Sequence, residues 1–362
     1  MNERLKMQKR RLGNTHIEVP PMCLGTMTYG DQNTQSDANS QLDFAFAHGI
    51  NFIDTAEMYP VPPKADTVTR TESMLGIWLK TQARDQIILG TKVAGPRRGM
   101  DWIRGGPASL DRNNIRAAIE ASLKRLQTDY IDVYQLHWPE RNVPMFGQYL
   151  FDPALEYNSG AFEKGEKKGW ISIQNQLETL AELIQEGKVR AVGISNEQPW
   201  GVMEFCKMAD IYGLPRIATV QNCYNLLNRG MEFGMTEVLY RENVSLLAYS
   251  PLAFGHLTAK YIDDPNTVGR ATLFTSYAQR YKKPNVVAAC VAYANLAREH
   301  GMTPTQMALS FVYHRWFVTS TIIGATNMAQ LQENISAWQT QLSDEVLQAI
   351  EHLHLTMMNP AP

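Results

Sequence analysis

Eight short apolar segments, rich in Ile and Val, recur along the sequence and constrain its fold more than any other feature. Each is too short to be a typical globular helix and too continuously apolar to be a strand with one face in water. Such segments are typical of parallel strands that helices cover on both faces. They are residues 21–26, 50–55, 86–92, 130–138, 190–196, 218–224, 245–251 and 320–326.

Amphipathic helical patterns separate these segments. The first begins at Ser36, a good N-cap residue, and ends at Gly49. Strand followed by helix, repeated eight times, predicts an α/β fold of the (β/α)8 TIM-barrel class. An open doubly wound sheet is the alternative, but it would need G-x-G-x-x-G after the first strand, which the sequence lacks. The other clear helical patterns are residues 111–130, 174–189, 285–301 and 303–316.

Two long segments interrupt the alternation, residues 139–170 after the fourth predicted strand and residues 253–284 after the seventh. In a barrel, both would project from the C-terminal ends of the strands, where barrel enzymes do their chemistry. Loops of this length in compact domains are usually functional or mobile, and the sequence does not predict their conformation. Because no repeat, low-complexity tract or linker is present, we expect residues 1–362 to form a single domain.

The composition excludes several classes of protein. The formal net charge of −2 gives no basis for binding a nucleic acid backbone. The N-terminus is basic but lacks the apolar core of a signal peptide, and no apolar run is long enough to span a membrane. The four cysteines form no C-x-x-C pair, which favours reduced thiols. We therefore expect a soluble, cytoplasmic protein that binds neither nucleic acid nor membrane.

Four titratable side chains fall at the ends of consecutive predicted strands. Asp54 ends the second strand, Lys92 the third and His137 the fourth, and Tyr59 follows the second strand by a few residues. Each alone has an ordinary alternative: a capping carboxylate, a surface lysine, a core histidine and a rim tyrosine. Together they favour a shared site, because these strand ends are neighbours on one rim of a barrel.

The chemistry of these four groups suggests a proton donor. A tyrosine hydroxyl has an ordinary pKa of about 10, and a nearby ammonium should lower that pKa. Lys92 would supply the ammonium, Asp54 would hold Lys92 in place, and His137 could orient a carbonyl. The set predicts that Tyr59 gives its proton to a carbonyl oxygen that becomes anionic when the carbon accepts hydride.

At these residues the chain resembles the aldo-keto reductase superfamily, in the segments "FIDTAEMYP", "GTKV" and "QLHWP". The resemblance extends from about residue 8 to 350, and is strongest to bacterial Tas-type reductases and weaker to potassium-channel β subunits. It implies a catalytic tetrad of Asp54, Tyr59, Lys92 and His137 and reduction of aldehydes or ketones with NADPH. It leaves the oligomeric state open, since relatives occur as monomers and as larger assemblies.

Side chains after the later strands could bind the nicotinamide cofactor. Their alternative roles are helix capping and turn formation. Ser195, Asn196 and Gln221 could bind a carboxamide, and Tyr249 could stack on a flat ring. Backbone N–H groups at Gly324 and Thr326, where a helix begins, suit an anion. Candidates for the pyrophosphate are Ser250, Leu252, Gly255 and Lys260.

The resemblance extends this set along an NADPH molecule that crosses the barrel. It implies that Thr26, Met27 and Gln32 lie near the nicotinamide ribose, with Asp54 close by, and that the adenine end lies near Gln330, Glu333 and Asn334. Many relatives have arginine at the position of Gln330, to bind the ribose phosphate. Here Lys260, Arg270 and Thr326 could share that phosphate, so we predict NADP(H) rather than NAD(H).

Tyr29, Tyr59, His137 and Trp138 are predicted to line the substrate pocket, with aromatic residues of 139–170. An apolar, aromatic pocket would suit aromatic or hydrophobic aldehydes, but the sequence does not identify the substrate. Two alternatives remain. A metal-dependent barrel enzyme would need more ligands than Asp54 and His137, so we predict no metal site. An NADPH-binding redox sensor or regulatory subunit would share the cofactor site but turn over little substrate.

Overall fold

The computed structural model describes residues 7–96, 98–158, 162–163, 166–167, 170–275 and 277–362. No helix in these ranges is long and apolar enough to cross a membrane.

Eight parallel strands form a closed barrel, in which each strand pairs with its neighbours in sequence and the eighth pairs with the first. The barrel confirms the predicted fold class. All eight predicted segments contain a strand, with ends displaced by a few residues. The strands are β1 Met22–Gly25, β2 Phe52–Asp54, β3 Ile88–Val93, β4 Ile131–Leu136, β5 Val189–Ser195, β6 Thr219–Cys223, β7 Ser245–Tyr249 and β8 Val318–Ile323.

Helices surround the barrel and cover its apolar outer face. Each pattern identified in the sequence coincides with a helix, and the remaining helices follow β2, β5, β6 and β8. They are α1 Gln35–Ala47, α2 Arg70–Leu79, α3 Arg112–Leu126, α4 Ile173–Gln185, α5 Pro199–Tyr212, α6 Met235–Glu242, α7 Val286–Glu299, α8 Pro304–Tyr313, α9 Met328–Ser336 and α10 Asp344–Thr356. Short 3-10 turns occupy Arg84–Gln86, Ile103–Gly105, Gly230–Glu232 and Ala337–Gln339.

The start of α1 differs from the sequence prediction. Thr34, not Ser36, is the N-cap, and its side chain accepts a hydrogen bond from the backbone N–H of Asp37. The Asp37 carboxylate in turn accepts a bond from the Thr34 backbone N–H, which completes a capping box. The reciprocal pair satisfies two helix-end groups at once, an arrangement that a cap at Ser36 lacks.

A two-stranded hairpin lies at the end of the barrel where the strands begin. Arg10–Arg11 pairs with Glu18–Val19, and the guanidinium of Arg10 donates to the carbonyl of Val318 at the start of β8. Leu12 and Val19 pack against interior side chains of the barrel, in one buried cluster with Cys23, Phe52, Val133 and Leu247. The hairpin therefore covers the N-terminal end of the barrel and leaves the opposite end for the site.

The two long predicted loops lie at that opposite end. Residues 137–172 join β4 to α4 and contain a short helix, Pro153–Asn158, and the paired strands Phe162–Glu163 and Glu166–Lys167. Much of the predicted segment 139–170 has side chains outside the described part of the chain. Residues 250–285 join β7 to α7 through short helical turns at Ala253–Thr258, Lys260–Asp263, Arg270–Leu273 and Gln279–Lys282.

Candidate active site

Lys92 connects the predicted catalytic side chains. It lies in β3 and is fully buried, with its Nζ 2.6 Å from Oδ2 of Asp54, the last residue of β2. The same ammonium donates to the carbonyl of Thr55 at 2.8 Å and lies 3.4 Å from the Tyr59 hydroxyl. A Lys Nζ has three protons, so one group can bond to the carboxylate, the backbone and the phenol together.

His137 directly follows β4 and faces Tyr59. The two ring centroids are 5.8 Å apart, with an interplanar angle of 74°. The backbone of His137 is fixed on both sides, because its N–H donates to the Val93 carbonyl and its own carbonyl accepts from Asn196 Nδ2. Its buried Nδ1 has no hydrogen-bond partner among the described residues. The structure thus brings all four predicted residues together.

Electrostatics sets the protonation state of each group. Burial alone would lower the pKa of Lys92, but Asp54 and Tyr59 together outweigh burial and raise that pKa above its ordinary value. Burial lowers the pKa of His137 well below 6.5, and the charges of Lys92 and Arg98 lower it further. At neutral pH, Lys92 is therefore an ammonium and His137 a neutral imidazole.

The pKa of Tyr59 differs from the sequence expectation. Burial raises it above 10, and the Lys92 ammonium opposes this shift without reversing it. The expected net lowering was wrong for this structure, because the sequence could not show that the phenol is nearly inaccessible, with 8% of its surface exposed. Tyr59 consequently keeps its proton across the physiological pH range.

Buried amides support the carboxylate of this group. Gln221, at the middle of β6, donates from Nε2 to Asp54 Oδ1 at 2.9 Å. Ser195, the last residue of β5, donates from its hydroxyl to the Gln221 carbonyl at 2.7 Å. Asn196 accepts a 2.7 Å hydrogen bond from the Tyr249 hydroxyl. The three side chains predicted to hold a carboxamide, Ser195, Asn196 and Gln221, therefore also form hydrogen bonds within the protein.

A cavity of about 1060 Å³ opens at this end of the barrel, at the upper end of the range for ligand pockets. Tyr59, His137 and Trp138 line it. Every residue predicted from the sequence to bind the cofactor also lines it: Thr26, Met27, Gln32, Asp54, Ser195, Asn196, Gln221, Tyr249, Ser250, Leu252, Gly255, Lys260, Arg270, Gly324, Thr326, Gln330, Glu333 and Asn334.

Several features of the lining fit a nucleotide cofactor. Among the described residues, Nε2 of Gln32 and Nη2 of Arg270 are buried donors with no partner. Gly255 has φ +88°, a left-handed conformation that glycine adopts without strain. In contrast, the Thr326 N–H is used internally, donating to Gln330 Oε1 at 2.9 Å. Apart from the Thr326 N–H, the groups that line the cavity suit a molecule with anionic groups and a flat ring.

One predicted pocket residue lies elsewhere. Tyr29 is fully buried in the main core, and its hydroxyl donates to Gln41 on α1 at 3.1 Å. It does not line the cavity, because its ring packs in the main core. The cavity also contains Phe146, from the segment 139–170 whose aromatic residues were expected to line the pocket. Four further lining residues were not singled out in the sequence analysis: Arg98, Phe254, Tyr277 and Arg280. These arginines occur in the segments "GPRRGM" and "YAQRY", but the sequence does not distinguish a loop arginine that faces the cavity from one that faces water.

The described residues contain no group of three or more His, Cys, Asp or Glu side chains placed to hold a metal ion. They therefore provide no ligand set for the metal-dependent alternative.

Comparison with known proteins agrees with this geometry. The model of the aldo/keto reductase family matches residues 21–354. Protein tas of Escherichia coli K12 is 46% identical over 358 residues, which cover 98% of this chain and 100% of that protein. The NADH-specific methylglyoxal reductase of the same strain is 30% identical, covering 93% and 95%. The L-glyceraldehyde 3-phosphate reductase of E. coli O157:H7 is 27% identical, covering 96% and 93%. The chain therefore belongs to the aldo/keto reductase family, a family of oxidoreductases that generally use nicotinamide cofactors.

Proposed function

We propose that this protein reduces aldehydes or ketones to alcohols with NADPH, and that Tyr59 is the general acid. The observation that carries the proposal is the position of the Lys92 ammonium, bonded to Asp54 and 3.4 Å from the Tyr59 hydroxyl. Two relatives have names that describe reductases of carbonyl compounds, which favours the same reaction class here.

NADPH, when bound, supplies hydride to the carbonyl carbon of the substrate. The carbonyl oxygen gains negative charge as this happens. Tyr59 donates its hydroxyl proton to that oxygen, and the Lys92 ammonium stabilises the phenolate that is left. His137, held neutral by burial, orients the carbonyl toward Tyr59 by hydrogen bonding. Asp54 keeps Lys92 charged and fixed during the step.

We propose NADP(H) as the cofactor. The distinguishing group is the ribose phosphate, and Lys260, Arg270 and Thr326 line the same cavity and could bind it. The guanidinium of Arg270 stacks 3.8 Å above the centroid of the Phe254 ring, which fixes the plane of its donors. One relative is named as NADH-specific, so the test of this proposal is a comparison of the dissociation constants for NADPH and NADH, and equal affinities would contradict it.

The test is a screen of aldehydes and ketones in which loss of NADPH absorbance is followed with the purified protein. We expect several carbonyl compounds to be reduced, each with formation of the matching alcohol. If NADPH binds but no compound in a broad panel oxidises it faster than the background, the redox-sensor alternative replaces this proposal.

A further inference from the structure

Two arginines outside the predicted site project into the cavity from different loops. Arg98 lies between β3 and α3, and its guanidinium lies 4.5 Å from the centroid of the Phe146 ring. Arg280 lies in the turn before α7, is half-buried, and lies against Gly147, the residue that follows Phe146. Both line the cavity that contains Tyr59 and His137. Stacking on Phe146 orients the guanidinium of Arg98.

Other arginines on the same rim have carboxylate partners. Arg104 pairs with the buried Glu57, and Arg141 forms a two-pronged pair with Glu197. In the described part of the chain, neither Arg98 nor Arg280 forms an ion pair with a carboxylate. Arg98 is exposed at the rim of the cavity, whereas Arg280 is half-buried. A half-buried cation without a counter-ion is unfavourable, and at a cavity it marks a place for a negatively charged ligand.

Arg98 also affects one of the reacting groups electrostatically. Its charge contributes to the lowered pKa of His137, after burial and Lys92. The two arginines lie on the same part of the cavity wall, because Arg98 stacks on Phe146 and Arg280 lies against the next residue, Gly147. Because Tyr59 and His137 line the same cavity, a ligand held by Arg98 and Arg280 would share that cavity with the reacting groups.

We propose that Arg98 and Arg280 form an anion-binding subsite, and that the substrate is an aldehyde or ketone that also carries a carboxylate or a phosphate. Guanidinium groups bind either anion through paired N–H donors. The feature that the two anions share is a group of negatively charged oxygens, planar in a carboxylate and tetrahedral in a phosphate. This inference rests on the proposed function and replaces the expectation of a purely hydrophobic aldehyde. Lys260 and Arg270 stay assigned to the cofactor.

The kinetic test compares matched substrates. We expect kcat/KM for 4-carboxybenzaldehyde to exceed that for its neutral methyl ester by about tenfold or more, as for a charge-assisted hydrogen bond. Arg98→Met and Arg280→Met should each reduce this preference by about tenfold, and Arg98→Lys should retain part of it. Glyceraldehyde 3-phosphate against glyceraldehyde forms the phosphate arm. The larger of the two preferences identifies the anion.

Arg190→Met is the matched control. Arg190 also stacks on an aromatic ring, 3.9 Å from the centroid of Tyr130, but it lies at the start of β5, away from the cavity. The preference of this variant for the carboxylate should equal that of the wild type.

A binding measurement separates this inference from the proposed function. With NADP⁺ present, calorimetric titration should show that 4-(hydroxymethyl)benzoate binds about tenfold more tightly than its neutral benzamide, and that Arg98→Met removes the difference. Equal affinities in the wild type, or a difference that persists in Arg98→Met and Arg280→Met, would overturn the subsite. If the binding difference is found but no aldehyde oxidises NADPH, the proposed function fails and the subsite stands. If both aldehydes are reduced without any preference, the proposed function stands and the subsite fails.

Discussion

At the level of single residues, Lys92 determines how the other members of the site behave. Its ammonium bonds to Asp54 and to the Thr55 carbonyl, opposes the burial-induced rise in the pKa of Tyr59, and helps to keep His137 neutral. The Lys92 charge therefore modifies the pKa values of a phenol and an imidazole, and burial is the larger cause of both shifts.

Replacing Tyr59 by Phe removes only the hydroxyl. We expect kcat for carbonyl reduction to fall by at least about 100-fold, the usual contribution of general acid catalysis, while the dissociation constant for NADPH stays within about twofold. Tyr29→Phe is the control, since it removes a hydroxyl that contacts Gln41 in the core and is outside the cavity. Steady-state kinetics and fluorescence titration measure the two quantities. A fall of less than about tenfold, which is about 1.4 kcal/mol, would contradict the assignment.

The pH dependence of the reduction follows from the directions of the pKa shifts. Tyr59 has a raised pKa and must be protonated to donate, so the rate is retained as pH rises toward 10. His137 has a pKa well below 6.5, so it remains neutral down to mildly acidic pH. We expect kcat/KM to be constant from about pH 6.5 to 9 with a neutral aldehyde. A decline with an apparent pKa inside that window would show that another group supplies the proton.

The sequence predicted which residues form the site better than it predicted the pKa shifts of those residues. The predicted tetrad is brought together because each residue lies at or just after a strand end, and parallel strand ends in a barrel share one rim. The direction of the Tyr59 shift could not be predicted, since it depends on burial by the rim loops. Tyr29 was wrongly placed for a similar reason: a residue just after a strand can turn toward the core or the cavity, and no periodicity distinguishes the two.

At the level of elements, the strands were predictable because continuous apolar runs reflect burial on both faces. Helix ends were less so, as α1 illustrates, where Thr34 and Ser36 are both acceptable caps by residue type. The long loops were not predictable at all, because their turns depend on contacts with distant residues. Lys283, for example, donates from Nζ to the Gly147 carbonyl at 3.0 Å, across 136 positions of sequence.

The capping box of α1 gives a stability prediction. Thr34→Ala should lower the free energy of unfolding by about 1 kcal/mol, because it leaves a helix N–H without its acceptor. Ser36→Ala, two residues away on the same exposed turn, should change it by less than about 0.5 kcal/mol. Urea unfolding followed by circular dichroism compares the two variants. Equal effects would show that the cap is not at Thr34.

At the level of the whole molecule, the two long loops contact each other beside the cavity. Gly147 has φ +104°, and a side chain there would lie only 3.0 Å from the Cβ of Arg280. The loop after β4 and the loop after β7 therefore approach closely enough to form one wall. A ligand that fills the cavity would bridge them and should stabilise the fold as a unit.

Cofactor binding should accordingly raise the melting temperature. NADPH at about 100 times its dissociation constant adds about 2.7 kcal/mol to the stability of the folded state, and NADH at the same concentration should add less. Lys260→Met should reduce the effect of NADPH more than that of NADH. Lys207→Met, at an exposed position on α5, should change neither. Thermal unfolding monitored by intrinsic fluorescence provides the comparison, and equal stabilisation by both nucleotides would argue against the phosphate-site proposal.

The N-terminal hairpin has a practical consequence for directed evolution. Leu12 and Val19 complete the packing inside the barrel at its N-terminal end. Substitutions at these two positions would therefore affect folding and not the choice of substrate. Mutant libraries aimed at new substrates should therefore spare the hairpin and diversify the rim, around residues 98, 146 and 280. The substitutions would then lie at one end of the barrel, and the residues needed for folding would stay unchanged at the other end.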